Sequence, residues 1–106
     1  MNPNKLVDTV VSALEDIKAK DIKVLNVAEI TSMFDFVIIA SAESSRQTKA
    51  LANHVQEKVK AAGGNIFSVE GEQTGEWLLV DVGDIVVHIM QPSVREYYNL
   101  EALWEK

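Results

Sequence analysis

Apolar residues recur along the first part of the chain at the spacing of an amphipathic helix. We expect this helix to run over Pro3–Lys20, with Asn2 as its N-cap. Lys18 and Lys20 would then lie near the negative end of the helix dipole. The apolar stripe comprises Leu6, Val7, Val10, Val11, Leu14 and Ile17.

Shorter apolar segments follow, and they predict two strands and a second helix. The strands would cover Ile22–Ala28 and Asp35–Ser41, and we expect the second to be the more buried. Ser44 and Gln47 have the spacing of a capping box that opens the helix, and Gly63-Gly64 would end it. The apolar residues of this helix are Leu51, Val55 and Val59.

The remainder of the chain predicts further strands and a last helix. A short strand at Ile66–Val69 would lead into a hairpin, and Ser93 and Glu96 would form the capping box of the last helix. The aromatic and apolar residues of that helix are Tyr97, Leu100, Leu103 and Trp104. The predicted order is α-β-β-α-β-β-β-α. It indicates an α/β fold class: one domain over residues 1–106, with a mixed sheet of about five strands and helices mainly on one face.

The segment Glu70–Gln91 predicts a β-hairpin whose two faces differ in chemistry. Gly83-Asp84 lies between two apolar runs, and glycine in the first position of a two-residue loop favours a type II′ turn. In that register, alternate residues share a face. The aliphatic face comprises Leu78, Val80, Val82, Ile85, Val87 and Ile89. The mixed face comprises Trp77, Leu79, Asp81, Val86, His88 and Met90.

The mixed face of the hairpin predicts a surface that contacts a partner. A face needed only for solubility would carry Lys, Glu and Thr, and a face buried by helices would lack Asp81 and His88. The alternative is that a terminal helix covers Trp77, Leu79 and Met90, which would then belong to the core.

Composition narrows the possible partners. The chain has 106 residues, enough for one compact domain, and 47% of them are hydrophobic, which supports a folded globule. It has no cysteine, which excludes a disulfide framework, a thiolate nucleophile and a Cys-based zinc site. A net charge of -6 disfavours general binding to nucleic-acid phosphates and favours a basic protein partner. We expect no sequence-specific contact with nucleic acid.

The sequence also predicts no membrane partner. The longest apolar run, Phe36–Ala40, is far shorter than the roughly 20 residues that span a bilayer. The N-terminal segment lacks the basic and apolar regions of a secretory signal. We therefore expect a soluble, cytoplasmic protein.

Candidate metal ligands are few. Glu70, Glu72, Asp81, Asp84 and His88 would form a divalent-metal site if they converged near one end of the hairpin. The favoured alternative is that Asp84 is a turn residue, the glutamates are solvated and His88 belongs to the partner face. We expect neither a metal nor a cofactor.

Other polar residues suggest little chemistry. Ser44–Arg46 would either contact a phosphate at the N-terminus of a helix or simply cap it, and the cap is favoured. His54 is expected to face solvent, and Lys58 and Lys60 to complement the helix dipole. The glycines match neither a phosphate loop nor a dinucleotide fingerprint.

Several segments spread over nearly the whole chain form a specific set. They are Asp21-Ile22, Asp35–Ile38, Ser44–Gln47, Glu70–Glu72, Trp77–His88 and Arg95–Trp104. With these segments in this order, the chain resembles the ribosomal silencing factors, also called the iojap family.

The resemblance implies a binding protein that acts by steric exclusion. It would bind the large ribosomal subunit through large-subunit ribosomal protein fourteen, block joining with the small subunit, and repress translation under nutrient limitation. The family fold resembles that of nucleotidyltransferases, but their paired acidic motif after a Gly-Ser turn is not found in this sequence. We therefore predict no enzymatic activity. The alternative is a small metal-dependent nucleotidyl or phosphoryl transferase that uses Asp81, Asp84 and His88.

The predicted partner-binding surface is centred on Trp77 and Leu79, because tryptophan is a frequent anchor of protein interfaces. The other predicted contacts are Asp81, Val86, His88 and Met90, with Tyr98 and Asn99 from the last helix at the rim. An open edge strand also leaves a homodimer of the free protein as an alternative state.

Overall fold

Five strands form one mixed sheet in the computed structural model, which describes residues 3–104. They are β1 (Lys20–Asn26), β2 (Phe36–Ser41), β3 (Ser68–Glu70), β4 (Trp77–Asp81) and β5 (Ile85–Met90). The order across the sheet is β1-β2-β5-β4-β3, in which β2 and β5 are parallel and the other neighbours are antiparallel. The predicted α/β class with a mixed five-stranded sheet is confirmed.

Four helices complete the described part of the chain. They are α1 (Pro3–Asp16), α2 (Ser45–Ala61), α3 (Pro92–Tyr98) and α4 (Glu101–Trp104). α1 and α2 pack together on one face of the sheet, where alternate strand residues and the apolar stripes of both helices form the main core. Every residue of the aliphatic hairpin face is buried in this core.

The β4–β5 hairpin has the register that the sequence predicts. Val80 pairs with Val87, and the backbone N–H of Val82 donates to the carbonyl oxygen of Ile85 at 3.0 Å. Gly83 has a φ of 99°, the positive value that the first position of a type II′ turn requires. The turn therefore fixes which hairpin residues face the helices and which face away.

The first helix is shorter than predicted. α1 ends at Asp16, and Lys18 has a φ of 59°, so the chain leaves the helix before residue 20. The predicted role of Lys18 and Lys20 at the helix end is therefore wrong. Lys20 instead opens the edge strand and forms an exposed ion pair with Glu43 at 2.9 Å. The proposed N-cap, Asn2, lies outside the described residues.

The strand bounds also differ slightly from the prediction. β1 begins two residues earlier than Ile22, and β3 covers Ser68–Glu70 rather than Ile66–Val69. In both edge strands, pairing with the neighbouring strand decides where the ladder begins, and that pairing is not local in sequence.

The single C-terminal helix predicted from the sequence is two short helices. Gln91 is the N-cap of α3, so Ser93 already lies inside the helix and the predicted Ser93–Glu96 capping box is wrong. Pro92 occupies the first turn, which suits proline because its missing N–H would have no helical partner there. Asn99, with a φ of 47°, ends α3 in a left-handed conformation.

Replacing Ser44 with alanine should lower the free energy of unfolding by about 1 kcal/mol. The Ser44 hydroxyl caps α2 by accepting a hydrogen bond from the backbone N–H of Gln47 at 3.1 Å. Thermal or urea denaturation would measure the loss, and Ser93→Ala is the matched control that should change stability by much less. Equal losses in the two variants would contradict the capping assignment.

Candidate partner-binding surface

The short C-terminal helices cover one part of the second sheet face. A small cluster there buries Val27, Val37, Ile39 and Met90, and packs them against Val94, Leu100 and Trp104. The rings of Phe34 and Trp104 meet edge-to-face with centroids 5.6 Å apart. Sequence periodicity identifies these apolar residues but not the sheet face on which α3 and α4 lie.

This cover corrects part of the predicted surface. Met90 is 0% exposed and Val86 is 9% exposed, so neither side chain is available as a major contact in this structure. Met90 lies under the C-terminal helices and belongs to the second core cluster. The alternative in which a terminal helix covers the mixed face is therefore right for Met90.

The rest of the mixed face stays accessible. Trp77, Leu79, Asp81 and His88 are each partly exposed. Leu79 pairs with His88 on β5 and with Glu70 on β3, so these three residues lie in one row across the sheet. A shallow recess of about 190 Å³ is lined by Glu70, Gly71, Trp77 and Leu79. We use the name open surface for the patch formed by Trp77, Leu79, Asp81, His88 and Tyr98.

Trp77 is the central aromatic residue of the open surface. Its ring centroid lies 4.9 Å from that of Tyr98 and 5.9 Å from that of His88. Its indole N–H donates a hydrogen bond of 3.0 Å to Nδ1 of His88. Tyr98 is exposed, as is Asn99 beside it, so the two predicted rim residues are both accessible.

His88 is uncharged at neutral pH. Burial disfavours the imidazolium ion and lowers the pKa of His88 from 6.5 to about 4. The groups around it give the charged form little support: Ile39 pairs with it on β2, Leu79 pairs with it on β4, and the C-terminal helices contribute Tyr98 beside Trp77. The nearest acidic residue on this face of β4 is Asp81, whose Oδ1 accepts the backbone N–H of Gly83 at 2.9 Å.

The depressed pKa of His88 predicts a loss of stability in mild acid. The unfolded chain binds a proton near pH 6.5, whereas the folded chain does so only near pH 4. Above pH 6.5 His88 is neutral in both the folded and the unfolded chain, so it does not reduce stability there. As the pH falls from 6.5 toward 4, only the unfolded chain binds the proton, and the free energy of unfolding decreases. We expect about 1 to 2 kcal/mol less stability from this group at pH 5 than at pH 7.5. Urea denaturation at both pH values would measure it.

The two histidines of the chain provide the control for this pH dependence. His88→Leu should remove this part of the pH dependence, while His54→Gln, which keeps His88, should retain it. If the pH dependence of stability survives in His88→Leu and disappears in His54→Gln, His88 is not its source.

His54 itself is partly buried, which corrects its expected solvent-facing position. Its side chain is 21% exposed, and its Nε2 lies 3.0 Å from Oδ2 of Asp16 at the end of α1. The contact joins the two long helices.

Arg95 ties α3 to the far edge of the sheet. One of its terminal guanidinium nitrogens donates to the carbonyl oxygen of Asp21 at 2.7 Å and to the hydroxyl of Ser41 at 2.9 Å. Its Nε donates to a carboxylate oxygen of Glu101, in α4, at 3.2 Å. The side chain is only 13% exposed. The sequence showed Arg95 within a family-like segment, but nothing local indicated these contacts.

The start of α2 is joined to the base of the hairpin. The hydroxyl of Ser45 accepts a hydrogen bond from the side-chain amide of Gln91 at 3.0 Å, and the hydroxyl of Thr48 donates to the carbonyl oxygen of Gly75. A Cβ on Gly75 would lie 2.9 Å from Cβ of Ser45, so glycine is required for this close approach. Ser44 and Ser45 thus have structural partners within the chain.

The five candidate metal ligands do not form a group. Glu70 lies level with Leu79 on β4, whereas Asp84 is in the turn at the far end of that strand, where its carbonyl oxygen accepts the N–H groups of Asp35 and Phe36. Within residues 3–104, no set of three or more His, Asp and Glu side chains is placed to hold a metal ion. In the same residues, no helix is long and apolar enough to cross a membrane.

Comparison with known proteins first identifies the class. A family model described as "Ribosomal silencing factor during starvation" matches residues 1–106. The ribosomal silencing factor RsfS of Chromobacterium violaceum is 56% identical over 94 residues, which cover 89% of this chain and 77% of that protein. The RsfS of Zymomonas mobilis is 39% identical over 103 residues, covering 97% and 77%. These names describe a regulatory rather than an enzymatic role.

Comparison with solved structures supports the same relationship. A crystal structure of a protein from Chromobacterium violaceum has a TM-score of 0.96 at 51% identity, and the match covers 100% of this chain and 90% of that one. The chain belongs to the RsfS family of ribosomal silencing factors. The resemblance drawn from its sequence segments is confirmed.

Proposed function

We propose that this protein binds the large ribosomal subunit through large-subunit ribosomal protein fourteen and prevents the small subunit from joining. The observation that carries the proposal is the match of the family model over residues 1–106. Translation would be repressed by steric exclusion, in the cytoplasm, when nutrients are limiting.

The chemistry of the open surface supports a basic protein as the partner. Its centre is aromatic and aliphatic, which suits an interface anchor. Asp81 lies at the edge of this surface, Glu70 pairs with Leu79 beside it, and both Glu70 and Glu72 are exposed. The net charge of -6 would also steer the protein toward a basic surface and speed association.

We further propose that the role is purely one of binding. The names of the relatives support this view, as does the separation of the acidic residues along the hairpin. The transferase alternative needs Asp81, Asp84 and His88 to act together, yet Asp81 accepts a turn N–H and His88 accepts the indole N–H of Trp77. Nucleotide turnover that survives purification and is lost in Asp81→Asn would contradict the proposal.

Subunit joining is the direct test. Purified protein added to separated ribosomal subunits should lower the joined fraction in sucrose-gradient sedimentation and inhibit translation in vitro. It should co-sediment with isolated large subunits and not with joined ribosomes, because the small subunit occupies the same place. Joining that proceeds unchanged at a several-fold excess of protein would refute the mechanism. Sedimentation of the protein alone reports whether the free form is a homodimer.

A further inference from the structure

The side chain of Trp77 is held from two sides by residues of different elements. Tyr98 of α3 packs against its ring at a centroid distance of 4.9 Å, and His88 of β5 accepts its indole N–H at 3.0 Å. Partly exposed apolar side chains are common on protein surfaces, so the fold does not require either contact at Trp77. The pair of contacts restricts the direction in which the indole faces outward.

The hydrogen bond fixes the chemical state of His88. An indole nitrogen can only donate, so Nδ1 of His88 must be the unprotonated acceptor and the ring proton must lie on Nε2. Burial keeps this neutral form through the neutral pH range, since the pKa of His88 is lowered to about 4. The Nδ1 acceptor for Trp77 is therefore unprotonated at neutral pH.

The backbone of His88 is paired on both sides within the sheet. β5 is the central strand, and residue 88 is paired with Ile39 on one side and with Leu79 on the other. Trp77, in contrast, begins β4, directly after the turn-rich segment of residues 71–76. The hydrogen bond from Trp77, at the end of β4, is therefore accepted by His88, a residue in the middle of the sheet.

We propose that His88 is a positioning residue for partner binding: its Nδ1 holds the indole of Trp77 in the orientation that the partner recognises. The inference rests on the proposed binding function and assigns the specific role of one residue in it. His88 acts through Trp77, which makes the contact. Because the indole is already oriented in the free protein, little side-chain freedom is lost on binding.

Two substitutions separate this role from a simple packing role. His88→Leu fills the space without an acceptor and should weaken binding to isolated large subunits about tenfold, while the protein still unfolds cooperatively. His88→Asn places an amide oxygen near the position of Nδ1 and should recover most of the lost affinity. If leucine binds as tightly as histidine, or if asparagine is no better than leucine, the positioning role is refuted.

A double-mutant cycle adds a readout that packing alone would not move. In a Trp77→Phe background there is no indole donor, so His88→Leu should cause little further loss of binding. An undiminished tenfold loss in that background would show that His88 acts independently of Trp77 and would overturn the proposal.

A spectroscopic measurement tests the hydrogen bond without the ribosome. The chain has two tryptophans, so Trp104→Phe assigns the two indole N–H resonances. The Trp77 indole proton should exchange slowly with solvent in the wild type and in His88→Asn, and faster in His88→Leu. Equal exchange rates in all three would refute the positioning role. If wild-type protein shows the protected indole but no binding to large subunits, the proposed function fails, and with it the role assigned to His88 in recognition.

Discussion

Val80→Glu should abolish most of the stability of the domain. Val80 is 0% exposed in the main core, paired with Val69 on β3 and Val87 on β5. A carboxylate there would be buried without a partner, at a cost comparable to the roughly 5 to 15 kcal/mol of stability of a typical domain. We expect loss of the cooperative melting transition measured by circular dichroism.

A glutamate on the opposite face of β4 provides the matched comparison for that experiment. Trp77→Glu introduces the same charge on the same strand but on the open surface, and it should still give a cooperative transition. If Trp77→Glu unfolds the protein while Val80→Glu melts like the wild type, the register of the hairpin is shifted by one residue and its faces are exchanged.

Trp77→Glu should weaken binding to the large ribosomal subunit by at least about 2 kcal/mol, or about thirtyfold in Kd. The substitution removes the largest apolar side chain of the open surface, breaks the hydrogen bond to His88 and places a charge at the centre of the proposed interface. Some stability will also be lost, because Trp77 packs against Tyr98. Binding should therefore be measured at a temperature where the variant is fully folded.

Phe67→Glu is the matched control for the binding loss. Phe67 is 66% exposed and lies directly before β3, next to Gly83, on the side of the sheet that faces the helices. It tests whether replacing any exposed aromatic residue by glutamate impairs binding. Wild-type affinity in Phe67→Glu together with a large loss in Trp77→Glu assigns the interface to the open surface. Equal losses in both variants would contradict that assignment.

The features that could be predicted from the sequence are those set by local chemistry. The β4–β5 register follows from one glycine turn and strict alternation, because a shift by one residue would expose the aliphatic face. The Ser44 cap follows from the preference of a hydroxyl for the first free N–H groups of a helix. The same local rules failed at Ser93, because Pro92 starts α3 earlier and Gln91 takes the cap position.

The open surface was predicted only in part, because its limits depend on contacts between distant segments. Alternation assigned Met90 to the correct face but could not show that α3 and α4 would cover it. Asn99 ends α3 in a left-handed conformation, which asparagine adopts readily, but the apolar spacing of Tyr97, Leu100 and Leu103 alone predicts one continuous helix. The contacts of Arg95 with Asp21 and Ser41 join residues far apart in the chain, and a single sequence gives no measure of such pairings.

The order of the strands has a consequence for the time at which this protein folds during its own synthesis. β5 is the last strand among residues 3–104 and the middle strand of the sheet, between β2 and β4. Until residues 85–90 have left the ribosomal tunnel, β2 has no neighbour on its inner edge and the two halves of the sheet remain separate. Long-range parallel pairing of this kind is slow to form. The growing chain therefore completes its sheet only after residues 85–90 have left the tunnel.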